Sequence, residues 1–309
     1  MGMIIHILGT AAYIAAILVW ISGCSSPEIP KKVGEFSHIQ DKAELYCKLS
    51  KPKYDELKYV HNECDSAGFT ALYSLACPNN KVDLSVFQTP DFKQYRNPNK
   101  DCYPDRSKSE YSKDHLLMRT LAAAYQQDKT WARGFYRYVS NNGGFFCDGV
   151  DIVTKLSRCL INPFLSSAVG RVSGDYLPPD SINEGFAPKK GFEGHLEVLN
   201  ILLRYKLQEG LTVGQMDTLE DYAKKEPLNA LYQAAAYKYR RVTKEEVLAA
   251  FDNDHWPKDR LPSSSEHCES YLFQRDMVSD IDWKPCPHRK ETYPGVDYAF
   301  ASFILAGVK

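Results

Sequence analysis

Five polar clusters interrupt apolar stretches of the 309-residue sequence and hold the side chains best suited to chemistry. Asp65 lies in Cys64-Asp65-Ser66, just before Phe69-Thr70-Ala71-Leu72. Asp114 and His115 end a polar run from Ser107, through Ser109-Glu110-Tyr111-Ser112-Lys113, at the start of an apolar stretch. Gln274-Arg275-Asp276 supplies a guanidinium. Asp297 sits inside Val296-Asp297-Tyr298-Ala299-Phe300, and His195 follows Gly194. Paired carboxylates can act on a glycosidic bond as acid and base, or as acid and nucleophile. On this reading Asp65, Asp114 and Asp297 are candidate catalytic carboxylates and Arg275 holds one of them ionised. Tyr95, Arg96, His115 and His195 would then contact substrate. Each residue also has a plainer use. A helix dipole favours Asp114 and Asp297 in a first turn, Asp65 can bond a buried serine, and Arg275 can pair with Asp65 or Asp297 across a core.

Several chemistries have no signature here. No nucleophile elbow, P-loop, H-E-x-x-H or dinucleotide fingerprint is present, and no cysteine pair has C-x-x-C spacing, so neither a metal nor a cofactor is expected. A net charge of −1 offers no long-range field for nucleic acid. The 20 Tyr, 14 Phe and 4 Trp suit ring stacking on sugars, although most will pack a core.

The elements that must position these residues read as helices. Apolar positions recur at helical spacing over 54–76. Ser112 reads as the N-cap of a helix carrying Leu117, Leu121 and Tyr125. Trp131, Phe135 and Tyr138 mark the next helix, stopped by Asn141-Asn142-Gly143-Gly144. Further helices are expected over 150–160, through Leu196 to Leu207, over 228–241 after Pro227, over 265–276 and over 295–307. Thr212 with Gln215 and Thr243 with Glu246 have capping-box spacing. Val82–Phe87 is the one strand candidate. Long loops are expected near 78–110, 170–192, 253–263 and 277–294, and such loops are often functional. The fold class is therefore all-α: antiparallel helical hairpins, either in an open array or curled into an α/α toroid.

The N-terminus gives an address. Met3–Gly23 carries no Asp, Glu, Lys or Arg, and Ala11–Ile21 is almost wholly apolar. An apolar run ending in small residues is how a signal peptide presents its cleavage site. Ile21-Ser22-Gly23-Cys24 resembles the bacterial lipobox, which implies cleavage before Cys24 and acylation of its thiol. Only His6 stands where a basic n-region would be, so an uncleaved spanning helix is the competing reading. The expected layout is a signal peptide over 1–23, a lipid-anchored tether over 24–40 and one helical domain over 41–309. Ser25 resembles the residue that sorts Gram-negative lipoproteins to the outer membrane.

Cysteine usage points to the same compartment. Nine Cys less Cys24 leave an even number, which outside the cytosol suggests disulfides. Proximity favours Cys147 with Cys159 and Cys268 with Cys286. Cys47, Cys64, Cys77 and Cys102 then pair among themselves in an order the sequence leaves open.

The stretches around Cys64-Asp65-Ser66, Ser112–Leu117, Tyr271–Asp276 and Val296–Tyr298 resemble segments of uncharacterised bacterial and phage-encoded helical proteins. Those have an α/α-toroid character similar to some glycoside hydrolases and polysaccharide lyases. The resemblance spans residues 60–305 and implies a fold more than an activity. Two functions follow as expectations. One is a membrane-tethered, glycan-acting protein of the cell envelope. The other is a non-catalytic envelope lipoprotein that binds a protein or glycan partner.

Overall fold

The computed structural model describes residues 34–60, 66–99, 110–147, 159–175, 192–207, 211–227, 229–251 and 296–307. These residues are all-α. They form ten helices: α1 (Ser37–Leu57), α2 (Ser66–Ala76), α3 (Lys113–Gln126), α4 (Lys129–Asn141), α5 (Pro163–Ser173), α6 (Phe192–Lys206), α7 (Val213–Lys225), α8 (Ala230–Lys238), α9 (Lys244–Phe251) and α10 (Val296–Leu305). Among them there is no strand, only isolated bridges such as Tyr95–Glu110. No described helix is long and apolar enough to cross a membrane.

α1 buries a stripe at helical spacing, Ile39, Ala43, Tyr46, Ser50 and Tyr54. It begins at Ser37, so the last four residues read as tether belong to the folded body, with Ile39 fully buried. The helix expected over 54–76 is broken. Lys58 takes a left-handed conformation (φ 66°) and caps α1 by donating its N–H to Tyr54 O at 2.6 Å. α2 then starts at Ser66, and every residue from Ser66 to Leu75 is buried. A helix apolar on all sides is a core helix.

The strand candidate at Val82–Phe87 is instead a 3₁₀ turn over Leu84–Phe87. Asp83 caps it by accepting from Ser85 N at 2.8 Å, a local bond that competes with extended structure. Both capping boxes form, at Thr212/Gln215 and Thr243/Glu246. α8 is shorter than expected because Asn229, not Pro227, caps it through bonds from Leu231 N and Tyr232 N. α5 was not foreseen; Asn162 caps it and Pro163 occupies its first position. The helices expected over 150–160 (beyond its last two residues) and 265–276 lie outside the described residues, as do Cys24, Cys268 and Cys286.

Five helices pack in a closed circuit: α2 on α3, α3 on α6, α6 on α8, α8 on α10, and α10 on α2. Their contacts show that all five point the same way. Near their starts, Gly68 of α2 lies against His115 of α3, and His195 of α6 meets Asp297 of α10. Near their ends, Gln126 donates to Ser74 Oγ at 3.0 Å, Tyr125 packs on Phe303, Lys206 lies over the Tyr125 ring, and Tyr205 packs on Tyr239. Five helix N-termini therefore share one end. The remaining helices pack onto this circuit: α1 on α10, α4 and α5 on α3, α7 on α6 and α8, and α9 on α8.

Two disulfides are present among the described residues. Cys147–Cys159 is the expected pair, and Cys47–Cys77 joins α1 to the end of α2.

Candidate functional site

The shared N-terminal end gathers most of the described candidates. Ser112 is the N-cap of α3, but its hydroxyl does not bond the helix N–H groups. It donates to Asp114 Oδ1 and lies 2.6 Å from His115 Nδ1. A hydroxyl has one proton, so with that proton on Asp114 the imidazole must supply its own Nδ1–H to Ser112. His115 Nδ1 is also 3.3 Å from Asp114 Oδ1. The result is a short relay from imidazole to hydroxyl to carboxylate. A side-chain N-cap bond contributes about 1 kcal/mol, and α3 gives that bond up for the relay.

Position makes the relay useful. The His115 side chain is 2 % exposed and that of Asp114 is 18 % exposed, so solvent reaches the carboxylate but not the imidazole. Burial raises the Asp114 pKa, but His115 beside it and the Arg96 guanidinium more than offset this and hold the carboxyl well below the usual range. The N-terminus of α3 acts in the same sense.

Arg96 reaches this place on an irregular segment tied down at both ends. Its Nε donates to Glu110 O at 2.8 Å, and its own carbonyl accepts from Ala67 N at 2.8 Å. Asn97 donates to Ser66 Oγ at 3.1 Å. Tyr95 bridges Glu110, and Lys93 lies over the Tyr95 ring while pairing with Glu110 at 2.8 Å. The segment 93–97 thus laces the first turn of α2 to the first turn of α3. Gly68 lets these helices approach: a Cβ there would come within 2.6 Å of Met118 Sδ. Tyr95, Arg96, Asp114 and His115 therefore lie in one neighbourhood.

His195 and Asp297 form a second centre at the same end. His195 Nδ1 is 3.6 Å from Asp297 Oδ2, with both side chains almost wholly buried. Tyr232 belongs to it: burial, then the charges of Glu226, Tyr222, Asp297 and Glu197, raise its phenol far above the ordinary range. Its hydroxyl has no hydrogen-bond partner among the described residues. Tyr222 donates to Glu197 Oε2. Sequence reasoning missed Glu197, Tyr222, Tyr232 and Glu226. Glu197 left a signal, a charge set among Leu196, Val198 and Leu199. The tyrosines left none, being indistinguishable from core packing. Asp65 and Arg275 lie outside the described residues, and no group of His, Cys, Asp and Glu suited to a metal occurs among those described.

Comparison with known proteins returns no matching family model, no matching characterised protein and no matching solved structure. Function must therefore be argued from the site.

Proposed function

We propose that this chain is an exported lipoprotein, held to a membrane through acylated Cys24, whose helices form an α/α toroid that hydrolyses a glycan of the cell envelope. The observation that carries the proposal is the relay His115–Ser112–Asp114 beside Arg96. It keeps one carboxylate charged and within reach of solvent, at the end where five helices begin. Asp114 is the nucleophile, or the base that takes a proton from the attacking water. Asp65, which directly precedes Ser66, is the partner acid; it gives its proton to the glycosidic oxygen as the C–O bond breaks. Tyr95 and Arg96 line the approach, and His195 and Asp297 make the second centre. The two disulfides support an oxidising compartment.

A direct test uses the full-length protein in detergent. Release of reducing ends from peptidoglycan or envelope polysaccharide should vanish in Asp114→Asn while the circular-dichroism spectrum at the assay temperature keeps its helical signature. Absence of turnover by the wild type on every such polymer would remove the enzyme. The anchor is tested separately: Cys24→Ser should abolish labelled fatty-acid incorporation and shift the protein out of the membrane fraction.

One observation favours the second reading, a lipoprotein that binds a protein or glycan partner without turnover. Asp297 is sealed against His195, which puts one of the candidate carboxylates beyond a polymer's reach. On this reading Asp114→Asn would weaken partner binding while no product ever forms.

A further inference from the structure

A groove of about 450 Å³ opens between the 88–95 segment and α4, away from the two centres described above. Two local sacrifices shape it. Phe92 holds a left-handed backbone (φ 71°), a strained conformation for a bulky residue. Gly134 stands inside α4, where glycine is less favourable than alanine. The two compensate each other, because the Phe92 ring fills the space that any Cβ at 134 would occupy. The ring works as a peg that fixes the segment against α4 and leaves the groove beside it open.

The groove wall is chemically specific. Arg137 is exposed and has no ion-pair or hydrogen-bond partner among the described residues, and Asn141 has none either. Asn142 spends its amide N–H on Phe145 O at 3.0 Å, leaving its oxygen to accept. Asp91 takes the Thr89 hydroxyl on Oδ1, leaving Oδ2. Tyr138 ends a column of rings along α4: Trp131 stacks on Phe135 at 5.2 Å, and Phe135 on Tyr138 at 6.5 Å. A guanidinium matches a carboxylate. Adjacent carboxylate and amide oxygens match hydroxyl donors, and a rigid aromatic face matches the C–H face of a pyranose. A free phosphate would use only the arginine, and an apolar peptide none of these groups.

We infer that this groove is a binding subsite for an acidic saccharide, with Arg137 on the sugar carboxylate, Asp91, Asn141 and Asn142 on its hydroxyls, and Tyr138 under its ring. The inference rests on the glycan-acting reading and names its substrate class. Lys93 at the groove and Arg96 beside Asp114 are three residues apart, about 10 Å of extended chain. One polymer can therefore engage both.

The test is titration calorimetry of the full-length protein with hexasaccharides of galacturonan, alginate and hyaluronan, and with neutral cellohexaose. At least one acidic hexasaccharide should bind, and cellohexaose at least tenfold more weakly. Arg137→Ala should weaken the acidic ligand at least tenfold with the melting temperature unchanged, and Arg137→Lys should recover only part of the loss, because the planar fork is gone. Three results would each overturn the subsite: no acidic hexasaccharide binding at millimolar concentration, affinity indifferent to Arg137, or Arg137-dependent binding of poly-glutamate in place of any saccharide. Arg137-dependent binding without turnover sinks the enzyme and keeps the groove. Turnover indifferent to Arg137 does the reverse.

Discussion

His195 Nδ1 lies 3.6 Å from Asp297 Oδ2, joining the first turns of α6 and α10, two helices that α7, α8 and α9 separate in sequence. Taking one member from such a buried contact strands the other polar group and costs about 1–3 kcal/mol. Asp297→Ala should therefore lower the unfolding free energy by that amount in urea titration, and Asp297→Asn by less. A loss under about 1 kcal/mol would show that the pair does not hold α6 to α10.

Two carboxyls should give stability opposite dependences on pH. Burial raises Glu226 from 4.5 to about 8, against the opposing Asn229 hydrogen bond and Lys225 charge. Between those values the folded protein keeps a proton that the unfolded chain has lost, so stability falls as pH rises through this window. Asp114 is depressed, so its contribution is present above the ordinary carboxylate range and lost on acidification below it. In chemical denaturation from pH 3 to 9, Glu226→Gln should flatten the decline toward pH 8. Asp114→Asn should flatten only the acid limb. A Glu226→Gln profile parallel to the wild type would mean that Glu226 is ionised at neutrality.

The Phe92 peg gives a sign reversal. Gly→Ala inside a helix ordinarily stabilises by about 1 kcal/mol. At 134 the new methyl meets the Phe92 ring, so Gly134→Ala should instead destabilise, by about 1–3 kcal/mol as overpacking does. Phe92→Ala combined with Gly134→Ala should recover part of that loss. Additive effects of the two substitutions would show that the ring and the glycine are not coupled.

The disulfides should differ in value. Cys47–Cys77 closes a separation of 30 residues and Cys147–Cys159 one of 12. Loop-closure entropy gives about 3.6 and about 2.8 kcal/mol respectively. Paired Cys→Ala replacements should lower the melting temperature in that order.

Much of this fold was legible in the sequence because its signals are local. Apolar spacing marks α3 and α4, threonine with an acceptor three residues on marks α7 and α9, and a short separation marks Cys147–Cys159. α1 was not legible. Its buried stripe is half polar, and Tyr54 and Ser50 can be buried only because partners far along the chain meet them: Asp83 N donates to the Tyr54 hydroxyl at 2.9 Å, and Ser50 Oγ lies 2.8 Å from the Tyr73 hydroxyl. α5 carried a readable start at Asn162-Pro163 that its short length obscured. The candidate site divides the same way. Ser112, Asp114 and His115 sit within one turn, so their chemistry could be read from spacing, whereas the tyrosines and Glu197 around Asp297 assemble only once α6, α7, α8 and α10 have packed.

The common direction of α2 and α3 also constrains how the chain folds. Helices joined by a tight turn can zip together from the turn, but two that run the same way cannot. After α2 the backbone must travel back through residues 77–112 before α3 can begin beside it. That return is a loop-closure search whose entropic cost precedes any packing reward. Cys47–Cys77 fixes the point where the return starts. Oxidation there holds α2 against α1 but leaves the 77–112 return its full length, so the pairing of α2 with α3, which carries Asp114 and His115, depends on that closure with or without the bond.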